Sequence, residues 1–185
     1  MASSSRHNPI SEADWTLKYL QAKSDLQTAY IEERERLTKN LLAKLIYQAR
    51  KLPTRDARLI ADLFEPAIND MLGLQVPARY PESYPNAPTL PQLLDRQRTY
   101  IKRHQDKMMG LLDNMSRMVT VEWFRKRFVY PVEAIVNNSN DKQRTLQFEL
   151  RKIDAQQEQE TRRAREREAQ ENARSTRQGH RYRKR

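Results

Sequence analysis

Apolar residues recur at spacings of three, four or seven over long stretches of this chain, and almost no glycine interrupts them. The first such stretch runs from residue 11 to about 51 and contains Trp15, Tyr19, Ala22, Leu26, Tyr30, Leu37, Leu41 and Leu45. Side chains at these spacings share one side of an α-helix. A charged run over 32–36 is expected to face solvent. We predict an all-α fold in which long antiparallel helices pack along narrow apolar stripes into a helical bundle.

Prolines divide the chain into segments. Pro53 ends the first predicted helix, Pro66 lies within the second, and Gly73 is placed to cap its C-terminal end. Five prolines between 74 and 91 exclude a helix and indicate an extended connector, although a peptide ligand for an SH3-type domain has the same composition. The predicted organisation is a disordered arm (1–10), an N-terminal helical hairpin (11–73), a Pro-rich connector (74–90), a basic helical bundle core (91–155), and a charged helix with an Arg-rich tail (156–185).

The next predicted helix runs from residue 91 to about 128 and ends before Pro131. Along it, apolar residues repeat every seven positions: Leu94, Ile101, Met108 and Met115. This repeat predicts a packing seam for another helix, which belongs either to the same chain or to a second copy. We expect a homodimer.

Three features are predicted after Pro131. They are a short helix over 131–136, an Asn/Ser loop over 137–140, and a last helix that begins near Asp141. Beyond residue 155 this helix has almost nothing apolar to bury, so it is expected to protrude as a charged helix. The last twelve residues contain no acidic side chain, which predicts a disordered basic tail.

The charge balance favours a polyanionic partner. Lys and Arg number 35 against 24 acidic residues, which gives a formal net charge of +11. Neutralising phosphates releases condensed counterions, and this release drives basic proteins onto nucleic acid. A ribosome-like protein, or a simply soluble basic protein, has the same balance.

Other classes of function find no support in the sequence. Cysteine is absent, and His7, His104 and His180 form no HxxxH or HExxH pair, so we predict no metal site. No Ser or Thr stands in a nucleophile-elbow context, and glycine-rich phosphate loops are missing. We expect no enzyme activity, cofactor or small-molecule substrate. No apolar run predicts a signal peptide or a membrane span, so we expect a cytoplasmic protein, with a nuclear location as the alternative.

One face of the helix predicted from residue 91 is basic. It consists of Arg96, Arg103, Lys107, Asn114 and Arg117, and steps of seven, four, seven and three keep them aligned. Arg98 and Lys102 widen this positive surface. Basic residues often simply line the solvated side of a helix, but only three acidic residues lie between 91 and 121. We predict that this basic face follows the phosphates of a nucleic-acid duplex.

The segment WFRKRFVY (123–130) interleaves aromatic and basic residues. Arg125, Lys126 and Arg127 are candidate RNA contacts, and aromatic rings beside such cations are suited to stacking on bases. The aromatic residues are equally suited to the core, with the charged groups reaching solvent. We favour core burial, because Phe124 and Phe128 share one face of a helix.

The tail supplies a second set of candidate RNA contacts, namely Arg177, Arg181, Arg183, Lys184 and Arg185. A basic tail of this kind can fold when it binds RNA. A nuclear or nucleolar targeting signal has the same composition.

Four short pieces of sequence, in their order and approximate spacing, resemble the RNA-silencing suppressor proteins of insect nodaviruses. They are SYPNAP (83–88), LLD (93–95), SRMVT (116–120) and TLQFELRK (145–152). The resemblance implies a four-helix bundle of two protomers that lies along one face of double-stranded RNA, with Arg117 contacting the RNA backbone. The lysine that the family carries seven residues before this arginine corresponds to Gly110 here, although Lys107 lies one turn earlier. Residues 1–55 and the tail have no counterpart.

These observations lead to one main hypothesis and two alternatives. The main hypothesis is sequence-independent binding of double-stranded RNA, by a viral suppressor of RNA silencing that shields the duplex from Dicer-type cleavage. The first alternative is an RNA-associated structural component of a virion or ribonucleoprotein particle. The second is a coiled-coil scaffold, for which residues 11–51 speak most clearly.

Overall fold

A computed structural model describes residues 12–53, 66, 69–71, 73–77, 88–118 and 121–182, and within these ranges all regular structure is helical. The helices are α1 (Glu12–Ala49), α2 (Leu90–Met118), α3 (Glu122–Phe124) and α4 (Tyr130–Tyr182), and a π-helical turn (Arg125–Val129) joins α3 to α4. The predicted all-α class is confirmed. At 53 residues, α4 extends over about 80 Å.

The three long helices do not all run antiparallel. Gln97 on α2 hydrogen-bonds Thr28 on α1, and further along both helices His104 lies against Thr38. These pairs advance together, so α1 and α2 run parallel, and the prediction of antiparallel packing is wrong for them. Forty residues separate α1 from α2 in the sequence, which is enough chain for the two helices to begin at the same end of the bundle.

Helix α4 has the opposite direction. Near its beginning, the carbonyl of Ile135 accepts a hydrogen bond from Arg34, and further on Lys142 pairs with Glu33. Further still, Glu160 accepts a hydrogen bond from the hydroxyl of Tyr19 near the start of α1. Helix α4 therefore packs antiparallel to α1 along most of its length.

The larger apolar cluster lies where the C-terminal halves of α1 and α2 meet the π-helical turn. Its buried members are Leu41, Leu42, Leu45, Ala49, Met71, Met108, Leu111, Met115, Phe124, Phe128, Val129, Val132 and Val136. A smaller cluster of Ile31, Tyr100, Ile101 and Leu146 lies nearer the middle of the bundle. Since all four residues of the sevenfold repeat are buried within one chain, its partner helices are intramolecular.

Helix α2 ends at Met118, ten residues before the predicted end. Val121 has an extended backbone with φ −80° and ψ 123°, and a new helix begins after it. The sequence from 119 to 121 is Val-Thr-Val, and β-branched side chains lose rotamer freedom in a helix. The extended backbone at Val121 divides the predicted continuous helix over 91–128.

Pro131 does not end the helix, contrary to prediction, because a π-helical turn precedes it. The backbone N–H of Tyr130 donates to the carbonyl of Arg125, five residues back. A proline in a regular α-helix clashes with the carbonyl four residues before it. The extra residue of the π-helical turn widens the helix at this place, so that the proline ring fits.

The predicted Asn/Ser loop over 137–140 is instead part of α4. Ser139 is buried against α1, with its hydroxyl 3.5 Å from that of Tyr30, and the side chain of Asn140 accepts a 2.9 Å hydrogen bond from Gln105 on α2. These residues have low helix propensity, but their contacts with two other helices stabilise the helical backbone. The predicted helix boundaries at 136 and 141 are therefore wrong.

The C-terminal segment is helical as far as Tyr182, so the prediction of disorder is wrong for 174–182, and Arg183–Arg185 lie outside the described residues. From 162 to 174 every side chain is exposed. This part of α4 extends beyond the bundle, as expected for a charged helix. Ala, Arg, Glu and Gln are good helix formers, and extending an existing helix adds one hydrogen bond per residue without a new nucleation step.

Two further predictions are only partly covered by the described residues. The arm over 1–10 lies outside them, as do most of the second predicted helix and residues 78–87 of the connector. Residues 66 and 69–71 are helical, and the N–H of Gly73 donates to the carbonyl of Asn69 at 2.8 Å, without the positive φ that a glycine cap often adopts. Residues 75–77, 88 and 89 have no regular structure.

Candidate nucleic-acid interface

The buried side of α2 determines which of its side chains face solvent. Leu93, Met108 and Leu111 are each no more than 2% exposed, and they contact the remainder of the bundle. Because a helix that buries one stripe must present the opposite side to water, the predicted basic face is directed outwards. Arg96, Arg98, Lys102, Arg103, Asn114 and Arg117 are all exposed.

Four of these cations make no ion pair with any residue that the structure describes: Arg96, Arg98, Lys102 and Arg103. They lie within two turns near the N-terminal end of α2. Lys102 and Arg103 do have an acidic residue, Asp106, one turn away, but unlike Lys39 and Arg144 they form no ion pair with that neighbour. Helical spacing places Arg96 and Arg103 along one flank of the exposed side of α2, and Arg98 and Lys102 along the other. We call these four exposed cations together the α2 basic patch.

Lys107 belongs to the predicted face but has a different role. Its ammonium group donates a 2.7 Å hydrogen bond to the carbonyl of Asp70 and lies 3.5 Å from the carboxylate of the same residue. About a third of the side chain is exposed. Lys107 thus links α2 to the segment that precedes Gly73, and its charge is partly neutralised.

Arg117 is paired with Asp113, one turn before it, at 2.7 Å. Both side chains are more than half exposed, and exposed pairs of this kind contribute little to stability. The pair can open without much cost. Arg117 can therefore contact a phosphate, but it must first give up its ion pair with Asp113, which the residues of the α2 basic patch do not have to do.

The segment 123–130 divides its aromatic residues between core and solvent. Phe124 and Phe128 are buried, with ring centroids 4.8 Å apart. Trp123 and Tyr130 are 46% and 39% exposed. The core-burial interpretation is therefore correct for the two phenylalanines and wrong for Trp123 and Tyr130. Arg125, Lys126 and Arg127 are all exposed, as predicted.

The remaining predicted RNA contacts belong to the C-terminal tail. The backbone of Arg177 and Arg181 is in α4, but their side chains are outside the described part of the structure. Residues 183–185 are also outside it.

The long helices differ in their charge balance. Residues 12–49 contain six basic and six acidic side chains, whereas 90–118 contain six basic and three acidic ones. Residues 130–182 contain eleven basic and nine acidic side chains. Relative to its length, α2 therefore has the largest positive excess of the three long helices, and counting charges helix by helix finds it from sequence alone.

A layer of polar side chains crosses the middle of the bundle, which the sequence analysis did not predict. Gln97 donates to Thr28 at 2.9 Å, and Ser24 is buried beside them. Arg34 is only 2% exposed, although it lies in the charged run that was expected to face solvent. Its Nη1 donates to the carbonyl of Ile135 at 3.4 Å, and its Nη2 has no partner in the described structure. The local signal that separates Arg34 from its charged neighbours is its spacing, since it lies four residues after Tyr30 and three before Leu37 on the predicted apolar stripe.

The polar layer changes the protonation of its members. Burial, together with the nearby charge of Arg34, lowers the pKa of His104 to about 4. Burial also lowers the pKa of Arg34 from its ordinary value. A neutral imidazole inside the bundle, hydrogen-bonded to Thr38, is suited to a structural role.

No His, Asp or Glu cluster among the described residues could hold a metal ion. None of the helices in these ranges carries an apolar stretch long enough to cross a membrane. The chain matched nothing when compared with protein-family models, with characterised proteins and with solved structures.

Proposed function

We propose that this protein binds double-stranded RNA without sequence preference, with the α2 basic patch as its main contact surface. The observation that carries the proposal is a set of four exposed cations that have no carboxylate partner among the described residues, on a helix whose other side is held in the core. Arginine and lysine contacts to phosphates carry no base information, so binding through this patch is independent of sequence. From Arg96 to Arg117 the basic face extends over about 31 Å.

The bundle supports this function by holding the cations in a fixed arrangement. Helix α2 is anchored by its apolar stripe and by the hydrogen bonds of Gln97, so the backbone under the patch is not free to rearrange. A rigid scaffold lowers the entropy that is lost when several cations contact one duplex. Duplex RNA is favoured over single strands, because a straight rigid surface matches the regular phosphate spacing of a helix.

The direct test is a gel-shift titration with random-sequence duplex RNA, duplex DNA of the same sequence and single-stranded RNA, across a salt series. We expect the duplex RNA to bind most tightly, with affinity that falls linearly in a logarithmic plot against salt concentration. Equal binding of all three nucleic acids, or no binding at moderate salt, would contradict the proposal.

We further propose that duplex binding serves to suppress RNA silencing in the cytoplasm of a host cell. Support for this step comes from the sequence resemblance. Its test is protection of long duplex RNA from a Dicer-type nuclease, with a variant that lacks the charges of the α2 basic patch as the control. Protection by the variant equal to that by the unchanged protein would sink the idea.

A homodimer is part of the same proposal, although the sequence left open whether the sevenfold seam of α2 packs within the chain or against a second copy. The sevenfold seam of α2 is already covered by α1 and by the α3–α4 segment. A second copy must therefore use other surfaces, and light scattering of the full chain measures its presence directly.

The alternative function is an RNA-associated structural component of a larger particle. The part of α4 beyond the bundle favours it, since the stretch from 162 to 174, whose side chains are all exposed in the described structure, carries five arginines and three glutamates. Deletion of residues 162–185, which removes this stretch together with the tail, distinguishes the two functions. If the α2 basic patch is the main contact, the shortened chain keeps its duplex affinity; if the C-terminal segment is the RNA-binding element, most affinity is lost.

A further inference from the structure

The short segment around the π-helical turn, residues 121–130, exposes two of its four aromatic rings to solvent. Trp123 is 46% exposed and Tyr130 39%, whereas the neighbouring Phe124 and Phe128 are 3% and 0% exposed. Val121, just before α3, is 49% exposed as well. The core therefore accommodates two rings of this segment and leaves the other two in water. Exposed aromatic surface of this kind commonly marks an interaction site.

The exposed rings flank three consecutive cations. Arg125, Lys126 and Arg127 are all exposed, and the guanidinium of Arg125 lies 5.9 Å from the ring centre of Tyr130. The only acidic residue in the segment is Glu122, whose carboxylate is 3.7 Å from the ammonium of Lys126, with both side chains more than 60% exposed. So weak a pair does not cancel the charge of the triplet. We call Trp123, Arg125, Lys126, Arg127 and Tyr130 the aromatic–basic surface.

The segment that carries this surface packs against the C-terminal end of α2. Met115, near the C-terminal end of α2, belongs to the same buried cluster as Phe124 and Phe128. Arg117 follows Met115 by two residues and is exposed. The basic face of α2 and the aromatic–basic surface therefore belong to two elements that pack together at this end of the bundle.

The π-helical turn that accommodates Pro131 also positions two members of the aromatic–basic surface. Turns of this type are rare, and they occur frequently at functional sites. Here the turn brings Arg125 and Tyr130 into the same hydrogen-bonded loop of backbone, since the N–H of Tyr130 donates to the carbonyl of Arg125. The cation and the aromatic ring are thereby held near each other.

We propose that the aromatic–basic surface binds unpaired nucleotides at the end of an RNA duplex. Bases stack on the exposed rings of Trp123 and Tyr130, while the three cations contact the phosphates between them. Charge complementarity decides this occupant: a polyanion with aromatic bases satisfies both kinds of group, which an apolar protein surface does not. The proposal rests on the proposed binding of RNA and adds a preference for duplexes with single-stranded ends.

The test compares one duplex RNA with blunt ends and the same duplex with single-stranded ends, each titrated into the full chain. We expect the single-stranded ends to raise affinity about tenfold, within the range measured for stacking of one base. Trp123→Leu combined with Tyr130→Leu should remove this advantage and leave the affinity for the blunt duplex unchanged. Phe148→Leu is the matched control, because Phe148 is also an exposed ring beside a cation, Lys152, but lies on α4 away from the triplet.

Fluorescence gives a second measurement that does not depend on two substitutions being tolerated. The chain has two tryptophans, so Trp15→Phe leaves Trp123 as the only one. Stacking of a base should quench its emission when the duplex carries single-stranded ends, and the blunt duplex should leave the emission unchanged.

The outcomes separate this proposal from the function on which it rests. Equal affinity of the unchanged protein for both duplexes, without quenching of Trp123, overturns the end-binding proposal and leaves duplex binding intact. Failure of both duplexes to bind overturns the proposed function; quenching by a single-stranded oligonucleotide in that case still supports the surface. If the double variant alters the sedimentation of the protein but not its RNA affinity, the surface is a protein interface and the proposal is wrong.

Discussion

The Nε2 atom of His104 on α2 lies 3.2 Å from the hydroxyl of Thr38 on α1, and both side chains are buried. A hydrogen bond of this kind forms only at one register of the two helices, because sliding either helix by a turn leaves a buried polar group without a partner. Apolar stripes alone tolerate such slips more easily. The polar layer therefore defines the register of α1 against α2, and with it the placement of the basic patch relative to the rest of the bundle.

Removing two charges from the α2 basic patch should weaken RNA binding uniformly. We expect Arg96→Ala with Arg103→Ala to reduce the slope of log affinity against log salt by about two, because each lost phosphate contact removes about one released counterion. The measurement is a salt series with several unrelated duplex sequences. Arg144→Ala with Arg151→Ala, on the solvent side of α4, is the matched control and should leave the slope unchanged. A loss confined to one sequence would contradict backbone recognition.

Lys107→Ala should have a different effect from changes in the patch. Since the ammonium of Lys107 is bonded to Asp70, its loss should loosen the segment around residues 69–74 and change the salt slope less than Arg103→Ala does. Hydrogen exchange of that segment is the measurement, and faster exchange is the expected result. A salt slope that falls as much as in Arg103→Ala would show that Lys107 contacts RNA directly.

Two phenylalanines on the same continuous run of helix test the assignment of core and surface. Phe128 is 0% exposed and Phe148 is 58% exposed. We expect Phe128→Ala to lower the free energy of unfolding by about 3–5 kcal/mol, since it leaves a cavity in the main cluster. Phe148→Ala should change it by no more than about 0.5 kcal/mol. Urea unfolding of both variants measures this difference. Similar unfolding midpoints would contradict the assignment of Phe128 to the core and Phe148 to the surface.

The depressed pKa of His104 makes stability depend on pH. In the unfolded chain a histidine binds a proton below about pH 6.5, whereas burial and Arg34 hold the folded pKa at about 4. Between these values the unfolded state binds more protons, so stability is fully present above pH 6.5 and falls as the pH drops towards 4, by up to about 3 kcal/mol. Urea midpoints across this window measure the fall. In His104→Gln the loss of stability over this pH range should be smaller by about 3 kcal/mol. Identical pH profiles of stability for the variant and the unchanged protein would show that His104 is not the group responsible.

Arg34 offers a related test of the polar layer. Its guanidinium is buried with one nitrogen unpartnered, and no carboxylate lies within ion-pair distance in the described structure. Replacing a poorly compensated buried charge by an apolar side chain of similar length is often stabilising, by about 1–4 kcal/mol. We expect Arg34→Met to raise the free energy of unfolding and to shift the pKa of His104 upwards, followed by nuclear magnetic resonance. A strongly destabilised variant with an unchanged His104 pKa would refute both statements.

The helical class of the protein and the extent of its first helix follow from the sequence by itself. Apolar spacing from Trp15 to Leu45 specifies one buried side of α1, and Pro53 follows its end. The outward direction of Arg96 and Arg103 is equally a local matter, since the buried stripe of α2 leaves them only the solvent side. These features depend on neighbours within one or two turns, which sequence periodicity describes well.

Only the tertiary structure decided the directions of the helices, the course of α4 and the partners of individual charges. Asn140 and Ser139 have poor helix propensity, yet contacts with Gln105 and Tyr30 hold them in a continuous helix. In the sequence, Lys107 and Arg103 are equivalent members of a basic stripe. In the structure, Lys107 is hydrogen-bonded to Asp70, whereas Arg103 is exposed to solvent. The physical reason is the same in each case: the free energy comes from groups distant in sequence, and local patterns carry no information about which of them will meet.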